Sequence, residues 1–531
     1  MNYKDTIGDE DYLKPYIYIL LALLISLGQV RAQVRFSADF ESGSIGSSEL
    51  LEQQSDSLGH LCYAITTKKD PENPALAPFT PSDRWFYFKM QGVKDREITL
   101  EISNNDSKRS LYSYDNINFH RFTSQEVPED NGAITKKYSC DSVFIAYFIP
   151  YTTTRADEKL SRWSQSPYVR HFSIGKSTEG RDMDMIVATK DNHEGLTPDK
   201  FGKYHPTHSD LLKKVIYIHG RIHPSESPAS WHLEAFVDRL IANNQDLLDD
   251  AIFYILPITN PDGVEGGYSR SNSIGIDLEG NFADSQKIVA AEVACIKRFL
   301  TSLKAGGLEP KLSLNMHAQS SPKISYWLHS ASSTKREYNR RLRLMAHLTA
   351  SDNRHFSPEQ ADETSLKGRY LEGWIRKHFH GRCIALTHEL PYSYYNSEPN
   401  GEWVDKENLA EQSLNTLNAI CEILNIKRKE QTRCSEPERY RGTKRRRDNT
   451  PYLGRGYLTA KRAGVRVPFT TELKRGSYNV MMWSAERGWH LAGYHIQQYD
   501  GEARFYYKCK TVGQIVDDVV FIKCDSWMAP S

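Results

Sequence analysis

The feature that most constrains the fold of this chain is an alternation of short apolar runs with apolar residues at helical spacing. Residues 215–218 form the first apolar run, and the residues that begin at Leu233 repeat apolar side chains with the period of an amphipathic helix. Residues 312–316 alternate apolar and polar side chains, and residues 383–386 form another apolar run, so both patterns predict strands. Strands that alternate with helices indicate an α/β fold.

Four side chains that can bind a metal or carry a proton stand where these predicted strands end. His223 and Glu226 lie on the loop between the first strand and the helix, whereas His317 and Glu389 end the other two strands. Ligand sites in open α/β sheets form at the carboxyl ends of strands. An open zinc site in a hydrolase needs three protein ligands and a carboxylate that accepts and returns a proton. The four residues offer a candidate for each role, although a His-x-x-Glu spacing alone arises often by chance.

Several motifs in a fixed order make the pattern more specific. They are the segments 174–181 (IGKSTEGR), 220–226 (GRIHPSE), 229–231 (ASW), 257–264 (PITNPDGV), 316–317 (MH) and 386–389 (LTHE). With these motifs, the chain from about residue 168 to 424 resembles the M14 family of zinc carboxypeptidases, and its details are similar to the cytosolic carboxypeptidase branch and its bacterial relatives. This resemblance implies a mixed-sheet α/β catalytic domain.

The resemblance also implies a role for each candidate residue. His223, Glu226 and His317 would bind one Zn²⁺ ion. Glu389 would take a proton from the attacking water and pass it to the leaving amine. Arg270 would stabilise the oxyanion that forms during hydrolysis. The expected substrate is therefore a peptide or another amide, cleaved most simply at a C-terminus.

The chain departs from the family pattern at residues 277–280. The family has Asp-Leu-Asn-Arg, in which Asn and Arg hold the terminal carboxylate of the substrate, and this chain has DLEG. Gly280 has no charge with which to hold a carboxylate, and Glu279 would repel one. Either another basic residue replaces the missing arginine, with Lys367 and Arg369 as candidates, or the substrate is not an ordinary peptide C-terminus.

The same departure leaves two further hypotheses open. Glu279 and Asn281 are the predicted substrate-binding residues of this segment, and an acidic Glu279 could face an amino group instead of a carboxylate. That arrangement would suit a zinc amidase or a peptidase that acts on cell-wall peptides. The other hypothesis is a binding protein that keeps the fold without catalysis; Gly280 favours it, whereas the intact ligand set and Glu389 argue against it.

Two β-rich regions are predicted to flank the catalytic domain, which we place at residues 155–427. Residues 33–154 hold short alternating runs separated by polar turns, which is typical of a β-sandwich, and residues 85–88 (WFYF) resemble the signature of the domain that precedes the catalytic domain in cytosolic carboxypeptidases. A basic polar linker at 428–450 leads to a small all-β domain at 451–531. The aromatic residues of that last domain would form its own core or a carbohydrate-binding platform.

The first 32 residues predict export. Residues 16–27 are apolar and are followed by VRA at 30–32, which indicates a signal peptide over residues 1–32 and a secreted or periplasmic protein. Acidic residues before the apolar run are unusual for a signal peptide, so an uncleaved N-terminal anchor is the alternative. The formal net charge of +1 gives no attraction to nucleic acid, and no such partner is expected. The sequence does not indicate an oligomeric state.

Overall fold

The structure is a computed structural model in which the chain forms two compact units. The first unit contains residues 84–149 and the described residues before 69, and the second contains residues 69–83 and the described residues from 150 onward. The structure describes the backbone of the strands between residues 458 and 524. It also describes residues 33–426 apart from 55, 57–59, 77–80, 129–131, 192–193, 352 and 396–401.

The first unit is built from two sheets. Strands β1, β4, β9, β6 and β7 form one sheet in that order, and β2, β3, β5 and β8 form the other. The rings of Phe36 and Tyr63, one from each sheet, lie 5.0 Å apart edge to face. The predicted β-rich N-terminal fold is confirmed. Its strands are β1 (Arg35–Ser37), β2 (Ser47–Leu50), β3 (Leu61–Thr66), β4 (Tyr87–Gln91), β5 (Glu97–Ile102), β6 (Leu111–Ser113), β7 (His120–Arg121), β8 (Ile134–Lys137) and β9 (Ser142–Ala146).

The second unit alternates strands and helices, as the sequence predicts. Its strands up to residue 426 are β10 (Val169–Lys176), β11 (Asp182–Ala188), β12 (Lys214–Gly220), β13 (Ala251–Leu256), β14 (Pro310–Gln319), β15 (Ser325–His329), β16 (Asp362–Thr364) and β17 (Ile384–Pro391). Its helices are α1 (Thr153–Trp163), α2 (His208–Leu212), α3 (Ser227–Asn243), α4 (Pro261–Glu265), α5 (Ala291–Ala305), α6 (Arg336–Ala350), α7 (Leu371–His378) and α8 (Lys406–Leu424).

The eight strands form one mixed sheet in the order β10-β11-β13-β12-β14-β17-β15-β16. The central strands β13, β12, β14 and β17 run parallel, while β11 and β15 pair with them antiparallel. Every residue of β13 is buried, as expected for a strand covered on both faces. Buried residues of α5 and α7 share an apolar cluster with Tyr217 and Tyr254 of the sheet, and α3, α6 and α8 pack together. The predicted mixed-sheet α/β domain is confirmed.

The register of the central strands brings the candidate residues to one edge of the sheet. Gly220, the last residue of β12, pairs with Met316 of β14. His317 of β14 pairs directly with Glu389 of β17. Because parallel strands end at the same edge, the loop that follows β12 emerges beside this pair.

The C-terminal region is described only as backbone. The carbohydrate hypothesis depends on side chains that are not described. The predicted linker at 428–450 and the predicted signal peptide at 1–32 also lie outside the described residues. The domain boundaries at 33–154, 155–427 and 451–531 remain predictions. The strands described here are β18 (Leu458–Thr459), β19 (Arg466–Leu473), β20 (Gly476–Ser484), β21 (Gly488–Gln498), β22 (Gly501–Lys508), β23 (Ile515–Val516) and β24 (Asp518–Cys524).

Candidate metal centre and active site

A buried arginine shapes the loop that carries the first two candidate ligands. Arg221 directly follows β12, has a positive φ of 58°, and is 1% exposed. Its guanidinium donates hydrogen bonds to the backbone carbonyls of Pro224 and Tyr151 and to the hydroxyl of Ser230. Burial lowers the pKa of Arg221 to about 10. The charged group therefore ties the loop to the start of α3 through interactions made inside the protein.

Replacing Arg221 by leucine is expected to lower the free energy of unfolding by about 3 kcal/mol, because two buried carbonyls would lose a charged donor. Urea denaturation of the purified chain measures this change. Arg382→Leu is the matched control, since its guanidinium pairs with Glu309 at the surface, 2.7 Å apart. Loss of that exposed pair should cost less than about 1 kcal/mol. Equal stability of the two variants would contradict a structural role for Arg221.

The three predicted ligands converge. His223 Nδ1 lies 2.8 Å from Glu226 Oε1, and His317 Nδ1 lies 2.9 Å from Glu226 Oε2. All three residues are buried, and one ligand atom from each lies within 4.8 Å of the others. Two imidazoles and one carboxylate are a ligand set that zinc hydrolases use.

The charges of this cluster suit a cation. Burial alone would raise the pKa of Glu226, but His223 and His317 outweigh burial and hold that pKa below its ordinary value. Burial would likewise lower the pKa of His317, yet the negative charges of Glu226 and Glu279 raise it to about 10. Glu226 is thus ionised. Its two oxygens face His223 Nδ1 and His317 Nδ1, the nitrogen atoms that would bind a metal ion. The residues present fit a zinc ion.

A second charged layer lies behind the two histidines. His223 Nε2 is 3.4 Å from both Asp277 Oδ1 and Glu279 Oε2, and His317 Nε2 is 3.5 Å from Glu279 Oε1. Arg270 pairs with the same carboxylates, at 2.8 Å from Asp277 and 3.4 Å from Glu279. Glu279 thus faces both imidazoles, with a guanidinium beside it. His223, Asp277 and Glu279 also form a second group with metal-ligand spacing.

Glu389, the predicted proton carrier, is held on one side. Trp327 Nε1 donates a 3.0 Å hydrogen bond to Glu389 Oε1. Glu389 Oε2 is buried and has no hydrogen-bond partner among the described residues. Burial raises the pKa of Glu389 to about 7, although the charge of His317 opposes this rise. A carboxyl group that titrates near neutral pH can both accept and return a proton.

The segment that departs from the family pattern is partly separate from this cluster. Asn281 is 2% exposed; its amide donates to the carbonyl of Ile288 and accepts from the backbone N–H of Ala290. These contacts hold the following loop and do not bring Asn281 to the metal cluster. A Cβ placed on Gly280 would meet no heavy atom of the described residues within 4 Å, so the position of the missing arginine is open space.

The candidate replacements for that arginine lie on the loop before α7. The carbonyl of Arg369 accepts a 2.9 Å hydrogen bond from Phe282 N, which follows the turn of Gly280. The guanidinium of Arg369 lies 5.1 Å from the ring centre of Tyr370, and the ammonium of Lys367 lies 5.9 Å from the same ring. Among the described residues neither cation has an ion-pair partner within 4.0 Å.

Sequence reasoning assigned no role to Arg221 or Trp327, although both shape the site. Arg221 lies inside the GRIHPSE motif, and an arginine between a buried strand and a metal ligand is a signal that could have drawn attention to it. Trp327 has no such signal, because it is 62 residues from the Glu389 side chain to which it donates.

Comparisons with known proteins agree with the architecture. Residues 161–394 match the family described as zinc carboxypeptidase, Peptidase_M14, and residues 36–148 match the cytosolic carboxypeptidase N-terminal domain. The resemblance predicted from the sequence is therefore confirmed for both regions.

The individual relatives are distant. Cytosolic carboxypeptidase 6 of Mus musculus is 26% identical, with 58% of this chain and 57% of the relative covered. An uncharacterized protein of Zymomonas mobilis is 27% identical, over 41% of this chain and 55% of its own length. This chain thus spans about half the length of the curated relatives it matches.

Solved structures support the fold. A metallo-carboxypeptidase from Burkholderia cenocepacia superposes with a TM-score of 0.57 at 22% identity, covering 74% of this chain and 99% of that one. A metallo-carboxypeptidase from Pseudomonas aeruginosa gives 0.58 at 20% identity, covering 74% and 99%. At such identities the likeness shows the fold alone.

The prediction of a secreted or periplasmic protein is wrong. The similar curated proteins include cytosolic carboxypeptidases from Mus musculus and Homo sapiens, and residues 36–148 match the N-terminal domain of that group. Nor do these comparisons support the alternative of an N-terminal anchor. Within the described part of the chain, no helix has the length and apolar character needed to cross a membrane.

Proposed function

We propose that this chain, whose residues 161–394 match the M14 zinc carboxypeptidases, is a zinc-dependent metallocarboxypeptidase that hydrolyses peptide bonds at C-termini. The observation that carries the proposal is the buried convergence of His223, Glu226 and His317 within 4.8 Å. Glu389, the register partner of His317, adds a carboxyl group at the same edge of the sheet. A single Zn²⁺ ion per catalytic domain is expected.

Different residues of the chain perform different steps of the proposed hydrolysis. When bound, Zn²⁺ would polarise the scissile carbonyl and make a water molecule more acidic. Glu389 takes the proton of that water at Oε2, since its other oxygen is held by Trp327, and returns it to the leaving amine. Arg270, which Asp277 and Glu279 keep in place, donates to the oxygen on which negative charge develops.

Recognition of a free C-terminus needs a cation that Gly280 does not supply. We infer that Arg369 supplies the cation that binds the terminal carboxylate of the substrate. Three observations support it: the open space at Gly280, the backbone hydrogen bond that joins Arg369 to Phe282, and a guanidinium with no ion-pair partner among the described side chains. A guanidinium is well suited to a carboxylate because it can donate two parallel hydrogen bonds.

Replacing Arg369 by alanine is expected to raise KM for peptides with a free C-terminus by about tenfold to a hundredfold. The reason is that a hydrogen bond between charged groups strengthens binding by about this factor. The matched control is Lys367→Ala, which removes a cation of the same loop and should change KM little. Adding Gly280→Arg to the Arg369→Ala variant should restore part of the affinity, because position 280 has room for a side chain. A larger effect of Lys367→Ala would assign the carboxylate to that residue instead.

The reaction itself is tested with a mixed peptide library, zinc-loaded protein and mass spectrometry. Loss of single C-terminal residues, absent when Glu389 is replaced by glutamine, is the expected result. Cleavage elsewhere, or no cleavage with zinc bound, would count against a carboxypeptidase.

A second function is favoured by Gly280. An open, uncharged position where the family has Arg would suit a zinc amidase, or a peptidase that acts on cell-wall peptides. Substrates with blocked C-termini distinguish this alternative, since an amidase would cleave them and a carboxypeptidase would not. Zinc binding without turnover of any amide would leave the binding-protein hypothesis.

A further inference from the structure

A buried carboxylate outside every sequence motif contacts the loop that carries Arg270. Asp70 belongs to segment 69–83, which is part of the second unit although the flanking sequence belongs to the first. The residue is 3% exposed. Its carboxylate accepts hydrogen bonds from three successive backbone N–H groups, those of Ser269 at 2.6 Å, Arg270 at 2.7 Å and Ser271 at 2.8 Å.

These three donors account for the burial of Asp70. A buried carboxylate is costly unless it is paired or hydrogen-bonded, and among the described residues no cation lies within ion-pair distance of Asp70. Consecutive backbone N–H groups that point at one anion form a concave binding site for negative charge. The conformation of residues 269–271 therefore depends on the carboxylate that fills it.

The loop is tied on its other side to the metal ligands. The carbonyl of Ser269 accepts a 2.7 Å hydrogen bond from the hydroxyl of Ser225, the residue before Glu226. Beyond its backbone, Arg270 extends to Asp277 and Glu279 beside the two histidines. Asp70 thus fixes the backbone from which the Arg270 guanidinium reaches the site, while Ser225 fixes the distance between this loop and the ligand loop.

We propose that Asp70 is a positioning residue for Arg270, which it keeps in register with the metal cluster by binding the backbone of residues 269–271. Its effect on catalysis rests on the proposed peptidase function. Its effect on the loop does not, because the hydrogen bonds exist whatever the reaction is.

The catalytic test uses the isosteric variant Asp70→Asn, which removes the negative charge. It also replaces one acceptor oxygen by an NH₂ group, which cannot accept a hydrogen bond from the backbone N–H groups of residues 269–271. We expect kcat to fall by about tenfold to a hundredfold, the size of effect that a displacement near 1 Å produces, with a smaller change in KM and an unchanged zinc content. In an Arg270→Ala background the same substitution should cause no further loss. Asn73→Ala is the control, since Asn73 lies on the same segment and donates to Ile274 O at 2.8 Å.

Two further readouts separate positioning from general destabilisation. Hydrogen exchange of the amides of residues 269–271 should become faster in Asp70→Asn, and this holds even if the protein shows no turnover and the proposed function fails. Formate should restore part of the activity of Asp70→Ala, because it can occupy the same three donors. Wild-type kcat together with unchanged hydrogen exchange in Asp70→Asn would overturn the proposal. A loss of activity from Asp70→Asn that is as large in the Arg270→Ala background as in the wild type would also overturn it.

Discussion

Replacement of Glu389 by glutamine is expected to lower kcat by roughly a thousandfold while leaving bound zinc unchanged. The amide has the shape of the carboxylate, and its oxygen can still accept the hydrogen bond from Trp327. It cannot take a proton from water, so the step that the buried Oε2 atom performs is lost. Turnover of a peptide chosen from the library, together with metal analysis of the same sample, measures both quantities.

The control for this variant is Glu309→Gln. Glu309 pairs with Arg382 at the surface, and its loss removes a negative charge without touching the site. Its activity should equal that of the wild type. Near-normal turnover by the Glu389→Gln variant would rule out Glu389 as the proton carrier. Loss of zinc from this variant would mean that Glu389 is needed for metal binding and not only for catalysis.

Replacement of Glu226 by glutamine should weaken zinc binding by roughly a thousandfold, which corresponds to about 4 kcal/mol. The substitution removes the only charged ligand of the group and also disturbs the Nδ1 atoms of His223 and His317, for which both Glu226 oxygens are acceptors. Competition with a chelator of known affinity gives the dissociation constant. Thermal unfolding with and without zinc provides a second measure, because a metal that binds only the folded chain raises Tm.

Glu279→Gln decides between the two groups of possible ligands. If Glu226 is the ligand and Glu279 supports the imidazoles from behind, the Glu279 variant should lose only about tenfold to a hundredfold in zinc affinity. The opposite ranking would mean that the metal is held by His223, Asp277 and Glu279, which have the same close spacing. Glu279→Gln also tests the amidase hypothesis, since an unchanged substrate preference would exclude a role for its charge in recognition.

The accuracy of the sequence predictions depended on how specific each sequence signal was. The strand after residue 383 and the strand that ends near His317 were predicted from apolar periodicity alone, and β17 and β14 confirm them. Export was predicted from a short apolar run and a small-residue pattern. An apolar run of that length is compatible with more than one fate, so the pattern did not determine where the protein acts.

The partners of the charged residues could not be predicted in the same way. Glu279 was expected to meet a substrate, and in the fold it faces two histidines and Arg270. Asp70 lies 200 residues from the Arg270 backbone to which it binds. Both relations arise from packing between segments that the sequence keeps far apart.

By itself the sequence determined the strands, the helix that follows the first ligands, and the residue types that stand at the strand ends. It could do so because hydrophobic period and ligand chemistry are properties of short segments. Only the tertiary structure decided that His317 stands opposite Glu389, that Trp327 holds one oxygen of that glutamate, and that Asp70 binds the loop of Arg270. Strand register and the burial of polar groups set these contacts, and both depend on the whole chain having folded.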